Sequence, residues 1–157
     1  SFPVATNSRI TLSEFIARRL GSGNEMALLK TMFARSFGAS TFADFWRYWN
    51  PVYGYYLQYY CYRPLRRFLP RPVAVVLTFA ASGFFLHDLP FGWWVRALKA
   101  EKLPIPFVAF WFASMGILVL ITEAFKLNLA ARPLAVRVAV NTLLILSTLL
   151  GTLYLAG

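Results

Sequence analysis

His87 is the one histidine of the chain, and it lies near the end of an apolar run that begins at about Val73. Ionisable side chains inside such a run are costly in a membrane and by default indicate a function. Imidazole changes its charge closer to neutral pH than other side chains, so His87 is a candidate proton acceptor. Asp88 cannot orient it on a regular α-helix, because adjacent side chains diverge by about 100°. The alternative is that His87 lies at the membrane interface without a chemical role.

The second notable stretch is Phe45–Pro51, an aromatic and basic segment that contains one uncharged amide, Asn50. Seven of the eight tyrosines follow closely, between Tyr48 and Tyr62. Amphipathic rings of this kind are enriched at the membrane–water boundary, so an anchoring belt without chemistry is one interpretation. No Gly-x-Ser-x-Gly turn accompanies His87, which argues against a Ser-His-Asp hydrolase.

Two groups of elements precede the apolar runs and must position these residues. Residues 1–40 are predicted to form amphipathic helices on the cytoplasmic membrane surface or against a partner. The first helix begins at the capping-box pattern Thr11–Glu14, and the second runs from about Asn24 to Gly38. Residues 41–72 are predicted to form aromatic-basic interfacial or re-entrant helices.

Three apolar stretches follow, at about 73–95, 103–122 and 138–157. Twenty apolar residues in a helix match a hydrocarbon core of about 30 Å. The first stretch is the weakest because His87 and Asp88 interrupt it. We therefore predict an all-α integral membrane protein with about three transmembrane helices, preceded by amphipathic and interfacial or re-entrant helices.

The composition supports a membrane protein. Only 14% of the residues are charged, against about 25% in soluble domains. Ten of the sixteen Lys and Arg residues precede Val73, which places the N-terminus in the cytoplasm, and we expect a bacterial inner membrane. The net charge of +10 favours anionic membrane lipids over nucleic acid as the partner. A single cysteine excludes an internal disulfide, and a single histidine excludes a His-rich zinc site.

Three ordered motifs resemble the membrane-bound O-acyltransferase family: Phe45-Trp46-x-x-Trp49-Asn50, Tyr62-x-Pro64-Leu65-x-Arg67 and Ser82-x-Phe84-Phe85-x-His87-Asp88. The sequence is most similar to the sterol and diacylglycerol acyltransferase branch, which has similar Phe-Trp-x-x-Trp-Asn and Ser-x-Phe-Phe-His-Glu segments. The resemblance covers roughly residues 41–125. Relative to that branch, this chain has one additional residue, Leu86, before the histidine.

The resemblance implies transfer of an acyl group from a thioester, with acyl-CoA as co-substrate, to a hydroxyl of a lipid or membrane-proximal acceptor. It implies His87 as the general base and Asn50 as its companion in the active site. A positioned base contributes on the order of 10²–10⁴ in rate, and an amide donor to the oxyanion roughly 10²–10³. We expect no metal and no further cofactor. The residues expected to bind the substrates are Trp46, Trp49, Arg63, Arg67, Ser82 and Gly83.

Four arginines would attract the phosphates of CoA or of an anionic lipid, or would only determine the orientation of the protein in the membrane: Arg63, Arg66, Arg67 and Arg71. Family members have eight or more spans around an acyl tunnel, whereas this sequence has room for three. We therefore expect other membrane subunits to complete the fold. Two alternatives stay open: a non-catalytic accessory subunit of a larger membrane complex, and a pigment- or haem-binding subunit with His87 as the axial ligand.

Overall fold

The structure, a computed structural model, describes residues 9–90 and 107–156, which are mostly helical and contain no β-strand. Two short helices come first, α1 (Leu12–Leu20) and α2 (Glu25–Phe37). Then come α3 (Phe42–Tyr48), α4 (Pro51–Leu57), a π-helical segment (Gln58–Tyr62) and α5 (Arg63–Arg66). Helix α6 (Arg71–Gly83) continues into a second π-helical segment (Phe84–Asp88), and two long helices follow, α7 (Phe107–Ala124) and α8 (Leu134–Ala156). The prediction of an all-α fold is confirmed for the described residues.

The predicted start of α1 is confirmed, because Thr11 and Glu14 form both bonds of a capping box. Glu14 N donates to Thr11 Oγ1 at 3.2 Å, and Thr11 N donates to Glu14 Oε2 at 3.0 Å. Gly21 ends the helix with φ +85°, a value that favours glycine. Helix α2 begins as predicted, since Asn24 Oδ1 accepts from Ala27 N at 2.9 Å.

Two of the described helices are long and apolar enough to cross a membrane. These are Phe107–Ala124, with mean hydropathy 1.9, and Leu134–Leu155, with mean hydropathy 1.8. Only 28% and 11% of these stretches are buried by the rest of the protein, so most of their apolar surface is left for lipid or a partner. The predicted count of three spans is not confirmed. Residues 91–95 and 103–106 of the predicted spans lie outside the described residues.

Helix α8 begins four residues before the predicted third span, at Leu134, and so includes Arg137. The Arg137 guanidinium donates through Nη1 to the Gly38 carbonyl, just after α2, at 3.0 Å. This bond satisfies part of the hydrogen-bonding capacity of the guanidinium. One turn later, the buried Asn141 donates to the carbonyls of Phe37 and Ala39 at 2.9 and 3.0 Å. These carbonyls belong to the end of α2, where intrahelical donors run out, so α8 caps α2 from outside.

The core is aromatic and lies where α3 packs on α7. Phe42 and Phe45 are each 2% exposed, and they form one cluster with Ala39, Met115 and Val119. Trp46 and Trp49 pack against this cluster, and Trp49 stacks on Phe45 with ring centroids 5.8 Å apart. Part of the segment interpreted as an interfacial belt therefore builds the protein core.

Helices α6 and α7 pack side by side in opposite directions. Gly83 lies against the backbone of Val108, and Gly116 lies against the ring of Phe79. At the other end, Arg71 makes a bidentate ion pair with Glu123, with N–O distances of 2.8 and 2.9 Å. A Cβ on Gly83 would come within 2.5 Å of Val108 O, so glycine is required for this close approach.

Candidate functional site

A cavity of about 670 Å³ lies between α1, α3, α4, α6 and α7. Five of the predicted site residues line it: Trp46, Trp49, Asn50, Ser82 and His87. Asn50 and His87 are 37 positions apart in the sequence, and they meet here because α4 packs beside α6 and its π-helical continuation. Residues of the first and third motifs therefore converge on one concave surface of the size that ligand sites have.

His87 is held by its own helix. Its Nδ1 lies 3.1 Å from the carbonyl oxygen of Ser82, which can only accept, so Nδ1 carries the proton in this hydrogen bond. In the neutral ring, Nε2 is then the nitrogen that can accept a proton. The imidazole packs between aromatic rings, with centroids 4.8 Å from Phe112 and 6.4 Å from Tyr53. Half-buried and oriented, His87 has the features of a general base.

The helix around His87 is not the regular α-helix expected from the sequence. Residues 84–88 form a π-helical segment, in which Leu89 N donates to Phe84 O five residues earlier. A π-bulge accommodates one extra residue without changing the phase of the helix on either side, and such bulges are frequent at functional sites. Leu86, which has no counterpart in the similar family motif, falls inside this segment.

Asp88 serves a different element from its neighbour. Its carboxylate is 5% exposed and accepts from Val108 N at 3.0 Å and from Ala109 N at 2.8 Å. These are amides in the first turn of α7, which have no partner within their own helix. Asp88 is therefore the cap acceptor of α7, and the carbonyl of Ser82, not this carboxylate, orients His87.

Asn50 combines a cap with a free donor. Its backbone is left-handed (φ +41°), a conformation that asparagine tolerates, and its Oδ1 accepts from Tyr53 N at 3.3 Å to begin α4. Its backbone N–H lies 3.3 Å from Met32 Sδ. Among the described residues, Nδ2 has no hydrogen-bond partner, so the amide retains a donor at the cavity wall.

The remaining predicted contacts lie elsewhere. Gly83, expected to bind the substrates, packs on the backbone of Val108 in α7 and does not line the cavity. Arg63 and Arg67 do not line the cavity, and the Arg63 guanidinium lies 4.3 Å from the ring centroid of Tyr59.

Three other arginines line the cavity: Arg19, Arg47 and Arg71. Of these, only Arg71 was among those predicted to attract phosphate. Arg19 donates through Nη1 to the Arg47 carbonyl at 2.7 Å and lies 3.9 Å above the ring centroid of Phe15. Burial, together with the positive charge of Arg47, lowers the pKa of Arg19 to about 10. No local sequence pattern indicates that Arg19 lines a cavity, because its position is typical of the solvent-facing side of an amphipathic helix.

A second cavity of about 420 Å³ lies beside the first and shares Tyr53 and Leu57 with it. Aromatic and aliphatic side chains line it: Val52, Tyr53, Tyr56, Leu57, Tyr60, Ala81, Phe85 and Leu86, together with Cys61. Leu86, the additional residue of the π-helical segment, thus lines this apolar cavity next to His87.

Comparisons of the chain with protein-family models, with curated proteins and with solved structures found no match. The resemblance to membrane-bound O-acyltransferases therefore rests on the ordered motifs in the sequence.

Proposed function

We propose that this protein is a membrane-bound O-acyltransferase-like enzyme that transfers an acyl group from acyl-CoA to a hydroxyl of a lipid or membrane-proximal acceptor. The observation that carries the proposal is the cavity shared by His87 and Asn50, with a proton acceptor on one and an unused donor on the other. Polar groups that converge on a cavity lined in part by aromatic rings are typical of a small-molecule site.

In the proposed reaction, His87 Nε2 accepts the proton of the acceptor hydroxyl as its oxygen attacks the thioester carbonyl. The Ser82 carbonyl keeps the ring in place and stabilises the imidazolium that forms. Asn50 Nδ2 donates to the oxyanion of the tetrahedral intermediate. The C–S bond then breaks, and the CoA thiolate leaves with the proton from His87.

The adjoining apolar cavity gives the acyl chain a place to bind. It lies beside His87 through Leu86 and beside the first cavity through Tyr53 and Leu57. A chain of methylene groups bound there gains about 0.8 kcal/mol for each group removed from water. In the proposed complex, the thioester lies in the first cavity and its hydrocarbon tail lies in the second.

We place the protein in a membrane, with α7 and α8 as spans and α6 with its continuation as a third. In water, the exposed apolar surface of α7 and α8 would favour association, whereas lipid tails are its natural solvent. The basic N-terminal part then faces the cytoplasm of a bacterial inner membrane, where anionic lipids attract it.

The test measures transfer of a radiolabelled acyl group from acyl-CoA to lipid acceptors by the purified protein in nanodiscs. H87A should lower the rate by at least about 10²-fold. N50D keeps the cap acceptor and the left-handed backbone but loses the donor, so it should lower the rate by roughly 10²–10³-fold with little loss of stability. R67Q, outside the cavity, is the control.

Full activity in H87A, or no transfer by the wild-type protein to any lipid acceptor, would exclude this function. The accessory-subunit alternative is favoured by one observation, the exposed apolar side chains of the long helices, such as Phe110 at 66% and Leu150 at 65%. It predicts co-purification with a larger assembly in fixed stoichiometry and unchanged assembly in H87A.

A further inference from the structure

The first cavity is lined by three arginines and, among its described lining residues, by no carboxylate. The arginines come from different elements, since Arg19 is in α1, Arg47 in α3 and Arg71 begins α6. A wall that gathers positive charge from three elements attracts anions, and arginine suits phosphate because its planar group donates two parallel hydrogen bonds.

Among the residues that the structure describes, a carboxylate neutralises only one of these charges. Arg71 pairs with Glu123, and this is the sole ion pair among the residues that the structure describes. Among these described residues, no carboxylate lies within 4.0 Å of the guanidinium of Arg19 or of Arg47. Their positive charges are therefore available to a ligand.

Arg19 is held in place by uncharged partners. Nη1 bonds to the Arg47 carbonyl, Nη2 lies 3.5 Å from Gln58 Oε1, and the guanidinium covers the Phe15 ring. Burial and the nearby Arg47 charge both disfavour its charged form, which lowers its pKa. An anion between Arg19 and Arg47 would offset both effects, because it would pair with two positive charges at once.

We propose that Arg19 and Arg47 form a binding site for a phosphate group, so that the ligand of this cavity is a phosphorylated amphiphile. Its phosphate lies at these arginines, and its less polar part lies along Trp46 and the two rings that Trp46 contacts in the same cavity, Phe79 and Phe112. A phospholipid head group and the phosphates of a soluble thioester carrier both have this chemistry. The site goes beyond the proposed acyl transfer, because phosphate binding requires neither His87 nor Asn50.

Binding is measured by calorimetry with the full chain in a neutral detergent. Three probes are used: a short-chain phosphatidic acid, adenosine 3′,5′-bisphosphate and the neutral short-chain diacylglycerol. At least one phosphorylated probe should bind about 10-fold or more tightly than the diacylglycerol. R19Q and R47Q should each weaken that binding by about 10- to 100-fold, as expected for a charged hydrogen bond.

The matched control is R18Q, which removes the same charge from the neighbouring, exposed residue of α1 that does not line the cavity. It should leave the affinity unchanged. Because R19Q also removes contacts within the fold, its melting temperature is measured, and the exposed Arg47 provides the second, independent variant. H87A should retain the phosphate affinity, which separates this proposal from the acyltransferase proposal.

Loss of phosphatidic acid binding alone in R19Q identifies a lipid as the source of the phosphate, and loss of bisphosphate binding alone identifies the soluble carrier. Equal affinity for the phosphorylated and neutral probes would overturn the proposal. An R18Q variant weakened as much as R19Q would also overturn it, since the attraction would then belong to the general basic surface.

Discussion

Replacing Asp88 by alanine is expected to destabilise the protein by about 2–4 kcal/mol. The substitution leaves the amides of Val108 and Ala109 without an acceptor at a position where Asp88 is 5% exposed. Each buried donor left unpaired costs about 1–3 kcal/mol, and loss of a helix cap alone costs about 0.5–2 kcal/mol. D88N retains one acceptor but loses the charge, so about 1–2 kcal/mol is expected.

The measurement is thermal unfolding in a mild detergent, followed by the fluorescence of the five tryptophans. For a chain of this length, 1 kcal/mol shifts the melting temperature by about 2–4 °C. The melting temperature should therefore fall by roughly 4–16 °C in D88A and about 2–8 °C in D88N. D44A is the control, because Asp44 lies in the first turn of α3 and bridges no other helix among the described residues. A D88A variant within about 1 °C of D44A would refute the assignment of Asp88 as the cap of α7.

Three further predictions follow from the helices. G83A should cost about 1–3 kcal/mol because a Cβ would meet Val108 O at 2.5 Å, whereas G151A, with nothing within 4 Å, should be neutral or slightly stabilising in the same thermal melts. Deletion of Leu86 should convert the π-helical segment to α-helix and leave a folded protein. Deletion of Leu77 should instead rotate the helix after that position by about 100° and prevent folding. The yield of monodisperse protein distinguishes the two results. Hydrogen bonds from the backbone and side chain of Thr11 lower the pKa of Glu14 in the folded protein. The stability that these bonds supply is therefore present above the pKa of an unfolded Glu, about 4.3. It is lost as the pH falls through the lower pKa of the folded state. Thermal melts from pH 6 to pH 3 should show this loss of stability in the wild-type protein and not in E14Q. Identical pH dependences of the melting temperature for the two proteins would contradict the prediction.

The parts of the structure that the sequence predicts are those decided within a few residues. The capping box of α1 requires only Thr11 and Glu14 at a spacing of three, and both bonds form. The long apolar helices follow from composition in the same way. The interpretation of the aromatic segment as an interfacial belt did not include the packing of Phe45 and Trp49 in the core, because the segment alone does not show which helix it contacts. Only the position of α7 decides for the core.

The parts that could not be predicted depend on contacts between distant residues. The role of Asp88 depends on Val108, 20 positions away, and the placement of Arg19 depends on Arg47, 28 positions away. The convergence of Asn50 and His87 on one cavity was expected from the family resemblance. Of the three cavity arginines, only Arg71 was among those predicted to attract phosphate, because the four arginines after Tyr62 gave the stronger local signal.

The local geometry around His87 explains why a base would be placed on an irregular helix. Gly83 fixes the helix against the backbone of α7 just before the π-helical segment, and Asp88 fixes it again by two hydrogen bonds directly after His87. Between these two anchors, the wider turn brings the Ser82 carbonyl within hydrogen-bond distance of the imidazole five residues later. Groups around a reacting side chain hold its geometry, and small displacements there cost rate. If the protein has the proposed acyltransferase activity, D88N should reduce it more than its effect on stability alone accounts for, yet less than H87A, because it loosens one anchor and leaves the proton acceptor in place.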